Sequence, residues 1–409
     1  MSEIVLREFN NYYRSLSVNS LKIEQFGKRE LAFLQFTEQM MIRHMAFSHI
    51  DDLRKYLTTE IPAHVYYSSA YYTNPTNQNM NKKGWLGADL VFDIDADHIP
   101  TSCKTEHDTW KCLDCKYEGK GFPPESCPEC NKKRIEVKTW VCDNCLKIAK
   151  NEIFKLINNF MIPDFGISEE ETEICFSGHR GYHLHIVSEK VKSLTNDGRR
   201  EIADYVRGIG LDPKSHGFRV LGKTVPLIGP SIDDAGWRGK IAREIFTYLE
   251  RCDISEFNKI VGTKKVKITD ESDRKRVLAD IKNSRSWWGR LSPSDIKKLT
   301  TNALESIKDT VCYIDERVTI DTKRLIRYPN SLHGKSGLIA RSLSYEELEA
   351  FDPLRDAVAF NGEPIKVYVK DIPRIRLGEE EIGPLKDTVV VVPKAIGIYL
   401  LCRGAAEPR

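Results

Sequence analysis

Two aspartates, Asp93 and Asp95, stand two residues apart inside an otherwise apolar run, Leu90-Val91-Phe92-Asp93-Ile94-Asp95. In a strand, residues i and i+2 point the same way about 7 Å apart, close enough for two carboxylates to share a divalent cation or bridge two. Leu90, Phe92 and Ile94 take the opposite face. Unpaired charge in such a run is expensive, so a solubilising surface strand is the weaker explanation. Asp97 and His98 continue the segment, and an Asp-rich loop start accounts for them.

A second candidate is the turn Ser177-Gly178-His179-Arg180-Gly181-Tyr182-His183. Its glycines let backbone N–H groups approach an anion, and Arg180 offers a forked donor set suited to phosphate oxygens. An ordinary tight hairpin would carry the same glycines. Further on, Asp315 precedes Lys323, Arg324, Arg327, Ser331, His333 and Lys335, with Gly334 and Gly337 between them. These cations alternate with Leu325, Ile326 and a Pro-Asn turn, so part of the set faces a packed surface, as anion recognition requires. An acid in that basic stretch reads as a third metal ligand.

A third group is chemically different. Of eleven cysteines, seven fall between Cys103 and Cys145, six of them as the C-x-x-C knuckles Cys112/Cys115, Cys127/Cys130 and Cys142/Cys145. With Cys103 and His107 they supply eight soft ligands, the number for two tetrahedral zinc sites. Cysteines used only for packing do not recur as knuckles. Spacing alone does not choose the pairing. The repeated TWKCLDC and TWVCDNC contexts favour an inner site, Cys112, Cys115, Cys127 and Cys130, nested in an outer one, Cys103, His107, Cys142 and Cys145. Closed sites of this kind are structural.

The surrounding periodicities place these groups. Ala63–Tyr67 reads as a strand, residues 71–83 as a polar Asn-rich loop, and 90–95 as a strand with two unlike faces. Ile153, Leu156, Ile157 and Phe160 mark a helix. EICFSG and GYHLHIV read as strand, tight turn and strand, with His183 and His185 on one side. Residues 1–65 carry mixed helical periodicity, and 236–308 a Lys/Arg-rich helical pattern with the Trp287-Trp288 pair. Arg317–Ile320 is strand-like, and a valine-rich tail punctuated by proline follows.

The chain has 409 residues, 41% hydrophobic and 30% charged, enough for a principal domain with insertions. A formal charge of +3, from 62 Lys+Arg against 59 Asp+Glu, excludes a whole-molecule basic field, so any nucleic-acid groove must be local. No apolar leader or spanning segment is evident, and the thiol usage fits a reducing compartment. The expected location is cytoplasmic, nucleoid-associated in an archaeon or nuclear in a eukaryote.

Taken in order, GWLGADLVFDIDADH, the knuckles, CFSGHRGYHLHIV and VTIDTKRLIRYPNSLHGKSGLI resemble the small, catalytic subunit of archaeal and eukaryotic DNA primases, the archaeal members most. The resemblance covers residues from about 60 to 365. It implies an α/β (α+β) catalytic fold with mixed sheets flanked by helices, an inserted zinc-binding module and a small helical lobe. The implied division is core at 1–100, zinc module at 101–147, core at 148–235, helical lobe at 236–308, core completed at 309–367, and a tail packing on it at 368–409.

The resemblance also implies roles. Asp93, Asp95 and Asp315 would hold two Mg²⁺ or Mn²⁺ ions, with Asp321 a rival for the third place. Ser177, Gly178, Arg180, His183, Arg327, His333 and Lys335 would bind the nucleotide. The family's zinc motif has four ligands, so the inner knuckles look like an insertion, and one or two structural Zn²⁺ ions are expected. The implied activity is template-dependent synthesis of short primers on single-stranded DNA from nucleoside triphosphates, in a heterodimer with a large subunit. The rival readings are a non-catalytic zinc-ribbon nucleic-acid-binding protein, a repair-type polymerase of related fold and a metal-dependent nuclease.

Overall fold

The structure is a computed structural model that describes residues 2–37, 40–212, 229–262, 268–283, 288–289, 291, 293–307 and 310–409. Trp287 of the tryptophan pair lies outside the described residues. The chain forms two compact units. One comprises Met1–Phe154, Glu169–Ala203 and Tyr313–Arg409, and the other Lys155–Ser168 and Asp204–Cys312.

Two four-stranded sheets organise the first unit, and every pairing in them is antiparallel. One runs in the order Leu325–Arg327, His64–Ser68, Leu31–Leu34, Met41–Met45. The other runs Arg341–Leu343, Thr172–Phe176, Gly181–Ile186, Leu90–Asp95. The acid-bearing strand is therefore an edge. Its period-2 pattern buries Leu90, Phe92 and Ile94 together with Tyr182, Leu184 and Ile186 of its neighbour, and leaves the acids on the other face. The strands at Leu31–Leu34 and Met41–Met45 lie within the segment whose periodicity read as helical; that reading holds for the helices Glu3–Ser15 and Ile50–Glu60.

The Asn-rich segment at 71–83 is loop for most of its length, but it begins in a strand. Ala70–Tyr72 pairs with Trp85–Ala88 and is fully buried, so its three apolar side chains outweigh the polar residues after them. The strand-like reading of Arg317–Ile320 is corrected: Glu316–Ile320 is a helix. Asp315 caps it, its carboxylate accepting from the Arg317 N–H at 2.9 Å, and the acidic Glu316 in the first turn suits the helix dipole. That local cap overrides the β-branched residues Val318, Thr319 and Ile320.

The C-terminal segment builds a three-stranded sheet, Leu385–Val392, Ile365–Ile372 and Ala406–Pro408, and the apolar helix Lys394–Cys402. Lys394 reaches Glu8 of the N-terminal helix at 3.7 Å. A further three-stranded sheet, Glu118–Lys120, Thr109–Cys112 and Ile135–Lys138, carries the inner knuckles.

The second unit is helical where described, with Gly236–Arg251, Ile254–Val261, Glu271–Asn283 and Pro293–Ser306. The buried ion pair of Lys240 with Asp164 joins its two chain segments, and the Trp237 indole N–H donates to the Tyr205 carbonyl at 2.9 Å. No helix among the described residues is long and apolar enough to cross a membrane.

Candidate active site

Register sets the acids in place. Across the antiparallel pair, Asp93 faces His183 and Asp95 faces Gly181. Cross-strand neighbours lie about 5 Å apart, so each side chain is built against its opposite number. His183 Nε2 is 3.4 Å from Asp93 Oδ1. Opposite Asp95 only glycine fits, because a Cβ on Gly181 would meet the Ile94 carbonyl at 2.2 Å and Asp95 Oδ1 at 2.5 Å.

Asp315 arrives from far along the chain. Its backbone N–H donates to the Asp93 carbonyl at 2.9 Å, which ties the capped helix to the free edge of the acid strand. Asp321 makes a different contact: its carboxylate accepts from the Lys323 N–H at 2.8 Å. Asp97 pairs with Arg180 at 2.9 Å, and Asp95 lies 3.9 Å from the same guanidinium. His98 gathers with Asp95 and Asp97, and the Asp97–Arg180 pair joins this loop start to the glycine-containing turn.

Burial, and then the charge of Asp315, pushes Asp93 up to about 6; burial and the charges of Asp93 and Asp97 do the same to Asp95. Asp93 Oδ1 is buried and receives no hydrogen bond. Among the described residues, the one basic group within ion-pairing distance of Asp93 is His183. Burial pushes His183 down to about 4, so it is neutral at pH 7 and offers no countercharge. An oxygen-rich, charge-deficient site of this kind fits a divalent cation such as Mg²⁺ or Mn²⁺.

Beside the acids lies a cavity of about 180 Å³ whose lining includes Asp93, Asp95, Ser177, Arg180, His183, Arg324, Arg327 and His333. The turn that forms one wall is closed by the Ser177 N–H donating to the Gly181 carbonyl at 2.9 Å. Gly178 has φ +78°, and a Cβ there would press on His333 Cβ at 3.0 Å. Lys335 is exposed, with its backbone N–H donating to His333 Nδ1 at 3.3 Å. His179 stacks on His333 with ring centres 4.7 Å apart, and both are held well below the usual histidine range, chiefly by burial. The wall thus combines arginines with neutral imidazoles, a donor surface for a polyanion.

Three participants were not singled out from the sequence. His64 and Tyr66 line up behind Arg327, and His179 lines the cavity. The alternation of His64 and Tyr66 on a strand already read as such was the available signal.

The thiols gather in two sets. Cys103, His107, Cys142 and Cys145 form one, and Cys112, Cys115, Cys127 and Cys130 the other, with ligand atoms in each set within 4.8 Å of one another. Sulfur pairs lie at 3.4 Å (Cys103 and Cys145), 3.7 Å (Cys142 and Cys145) and 3.5 Å (both Cys112 with Cys130 and Cys115 with Cys127). A tetrahedron with Zn–S bonds of about 2.3 Å has edges near 3.8 Å, so both sets are close to the size zinc requires. In the outer set His107 Nδ1 is 2.7 Å from Asp108, whose carboxylate also accepts from the Trp140 N–H at 3.0 Å. Such a carboxylate orients a ligating imidazole.

The outer set is linked to the turn at residues 177–183. Arg180 donates to the Thr139 hydroxyl at 3.3 Å, and Arg403 donates to the Thr139 carbonyl while its Nη1 lies 3.1 Å from His179 Nε2. Thr139 precedes Trp140 directly, so one short segment touches both places.

Comparison with known proteins bears on the family. Residues 130–345 match the model of the DNA primase small subunit family. The DNA primase small subunit PriS of Methanococcoides burtonii is 35% identical, over 98% of this chain and 96% of its own length. Those of Methanosarcina barkeri (34%; 98% and 94%) and Archaeoglobus fulgidus (33%; 98% and 97%) are similar over the same extent. Matched by the family model and, over nearly its whole length, by these relatives, the chain belongs to the DNA primase small subunit family.

Proposed function

We propose that this chain is the catalytic subunit of a DNA primase, making short primers from nucleoside triphosphates on a single-stranded DNA template by two-metal nucleotidyl transfer. The observation that carries the reading is the placing of Asp93 and Asp95 in the lining of a cavity walled by arginines and neutral histidines, with the Asp315 backbone bonded to the Asp93 carbonyl. Asp93, Asp95 and Asp315 would hold the cations. Bound there, Mg²⁺ or Mn²⁺ supplies charge neutralisation and orients attacking and leaving oxygens.

The chain's own groups do the rest. Ser177 and the backbone of Gly178 shape the turn against the triphosphate, Arg180 and Arg327 bind its oxygens, and His183 and His333 donate without adding charge. Lys335 meets the outer phosphates from the exposed side. The two sets of four ligands would each hold a structural Zn²⁺ that ties the knuckle loops together. A large subunit completes a heterodimer that aids initiation.

De novo synthesis on single-stranded DNA with labelled nucleotides tests this reading, with and without a large subunit. The parent chain is expected to initiate from free nucleotides, and Asp95→Asn to incorporate none while remaining folded. A chain that extends a supplied primer but never initiates would be a repair-type polymerase instead; a folded Asp95→Asn chain with normal synthesis would remove the acids from the mechanism.

A further inference from the structure

Arg327 is buried at the cavity wall, and among the described residues no carboxylate lies within ion-pairing distance of it. Uncharged lone pairs hold it instead. An Nη1–H donates to His64 Nδ1 at 2.8 Å, and an Nη2–H donates to the Tyr66 hydroxyl at 3.3 Å. The guanidinium also lies 4.5 Å from the centre of the Tyr66 ring. Because His64 Nδ1 accepts, it carries no proton, and the imidazole is neutral. The Gly334 N–H approaches the same Nδ1 at 3.4 Å, and the His333 ring meets His64 edge-on at 4.7 Å, so its orientation is set from two further sides.

A carboxylate at position 64 would grip the guanidinium at least as firmly, but it would cancel the charge. A neutral acceptor fixes the plane of the guanidinium and leaves its net charge and remaining N–H donors for an anion. We infer that His64 is a positioning residue for nucleotide binding, orienting Arg327 through an uncharged contact so that its full positive charge reaches the triphosphate. This rests on the reading of the cavity as a nucleotide site.

The test compares His64→Asn with His64→Asp in the full chain, since the two side chains share a shape and differ in charge. Calorimetric titration with UTP and Mg²⁺ is run beside thermal melting. The Asn chain is expected to bind within about threefold of the parent, and the Asp chain at least about tenfold more weakly, although the Asp chain melts no lower than the Asn chain. A merely structural residue would make affinity follow melting temperature. Equal affinity of the two variants, whether both high or both low, overturns the inference. If the Asp chain does not fold, His64→Ala decides: a rise in Kd of at least about fivefold at a melting temperature within a few degrees of the parent supports it, and unchanged affinity overturns it. A parent chain that binds no UTP would sink the nucleotide-site reading; one that binds UTP while indifferent to position 64 would sink this inference alone.

Discussion

Replacing Asp93 by Asn keeps the side-chain shape and removes one charge from a place that resists it. The carboxyl is 18% exposed, and burial with the charge of Asp315 pushes it up from 3.8 to about 6, a difference worth about 3 kcal/mol. Because the folded value lies above the unfolded one, the folded chain keeps its proton to higher pH. The stabilisation is complete below pH 3.8, falls as pH rises to about 6, and stays lost above it. At about pH 7.5 without Mg²⁺ or Mn²⁺, the Asn chain should therefore exceed the parent by up to about 3 kcal/mol, or about 3–6 °C for a unit of this size. Added Mn²⁺ should reverse the order, since it stabilises only the chain that binds it. Thermal melting across about pH 5–8, with zinc retained and Mn²⁺ present or absent, measures both effects. An Asn chain that melts below the parent without Mn²⁺, or equal stabilisation of both by Mn²⁺, would refute the account of a charge-deficient acid site.

Asp315→Asn retains a good helix cap, so it should fold normally yet lose primer synthesis, whereas Asp321→Asn should keep most of it; incorporation assays on the two purified chains check the choice. Metal analysis of the purified protein should find two zinc ions, with Cys112→Ser/Cys115→Ser removing one and Cys142→Ser/Cys145→Ser the other. Only the second loss should weaken UTP binding, because among the described residues it is the outer set whose neighbour Thr139 contacts Arg180 and Arg403. Gly181→Ala forces a methyl into the Ile94 carbonyl and should cost at least about 2–3 kcal/mol, seen as a lower melting temperature.

The acid strand, the hairpin of Thr172–Phe176 with Gly181–Ile186 and the knuckles were legible because each is a local pattern of period 2 or a fixed ligand spacing. Asp93 and Asp95 could be put on one face from their parity alone. Asp315 was grouped with them through its basic context and the family resemblance, but its backbone bond to Asp93 could not be read, since contact between residues so far apart leaves no trace in local periodicity. The helix Glu316–Ile320 was hidden for a related reason: β-branched side chains spoke for a strand, and the Asp315 cap that decided the matter is a single side-chain contact. The contact of His64 with Arg327 escaped because the two are brought together only by sheet pairing of Leu325–Arg327 with His64–Ser68.

The acids stand on an edge strand, and an unpaired strand edge ordinarily invites another chain to add to it. Here the Asp315 N–H already occupies the Asp93 carbonyl, and the short helix that follows lies along that border. The segment that carries Asp315 thereby covers part of that border, so a deletion made to remove Asp315 would also uncover strand edge open to pairing. Point substitution, not truncation, is the means of asking what Asp315 does.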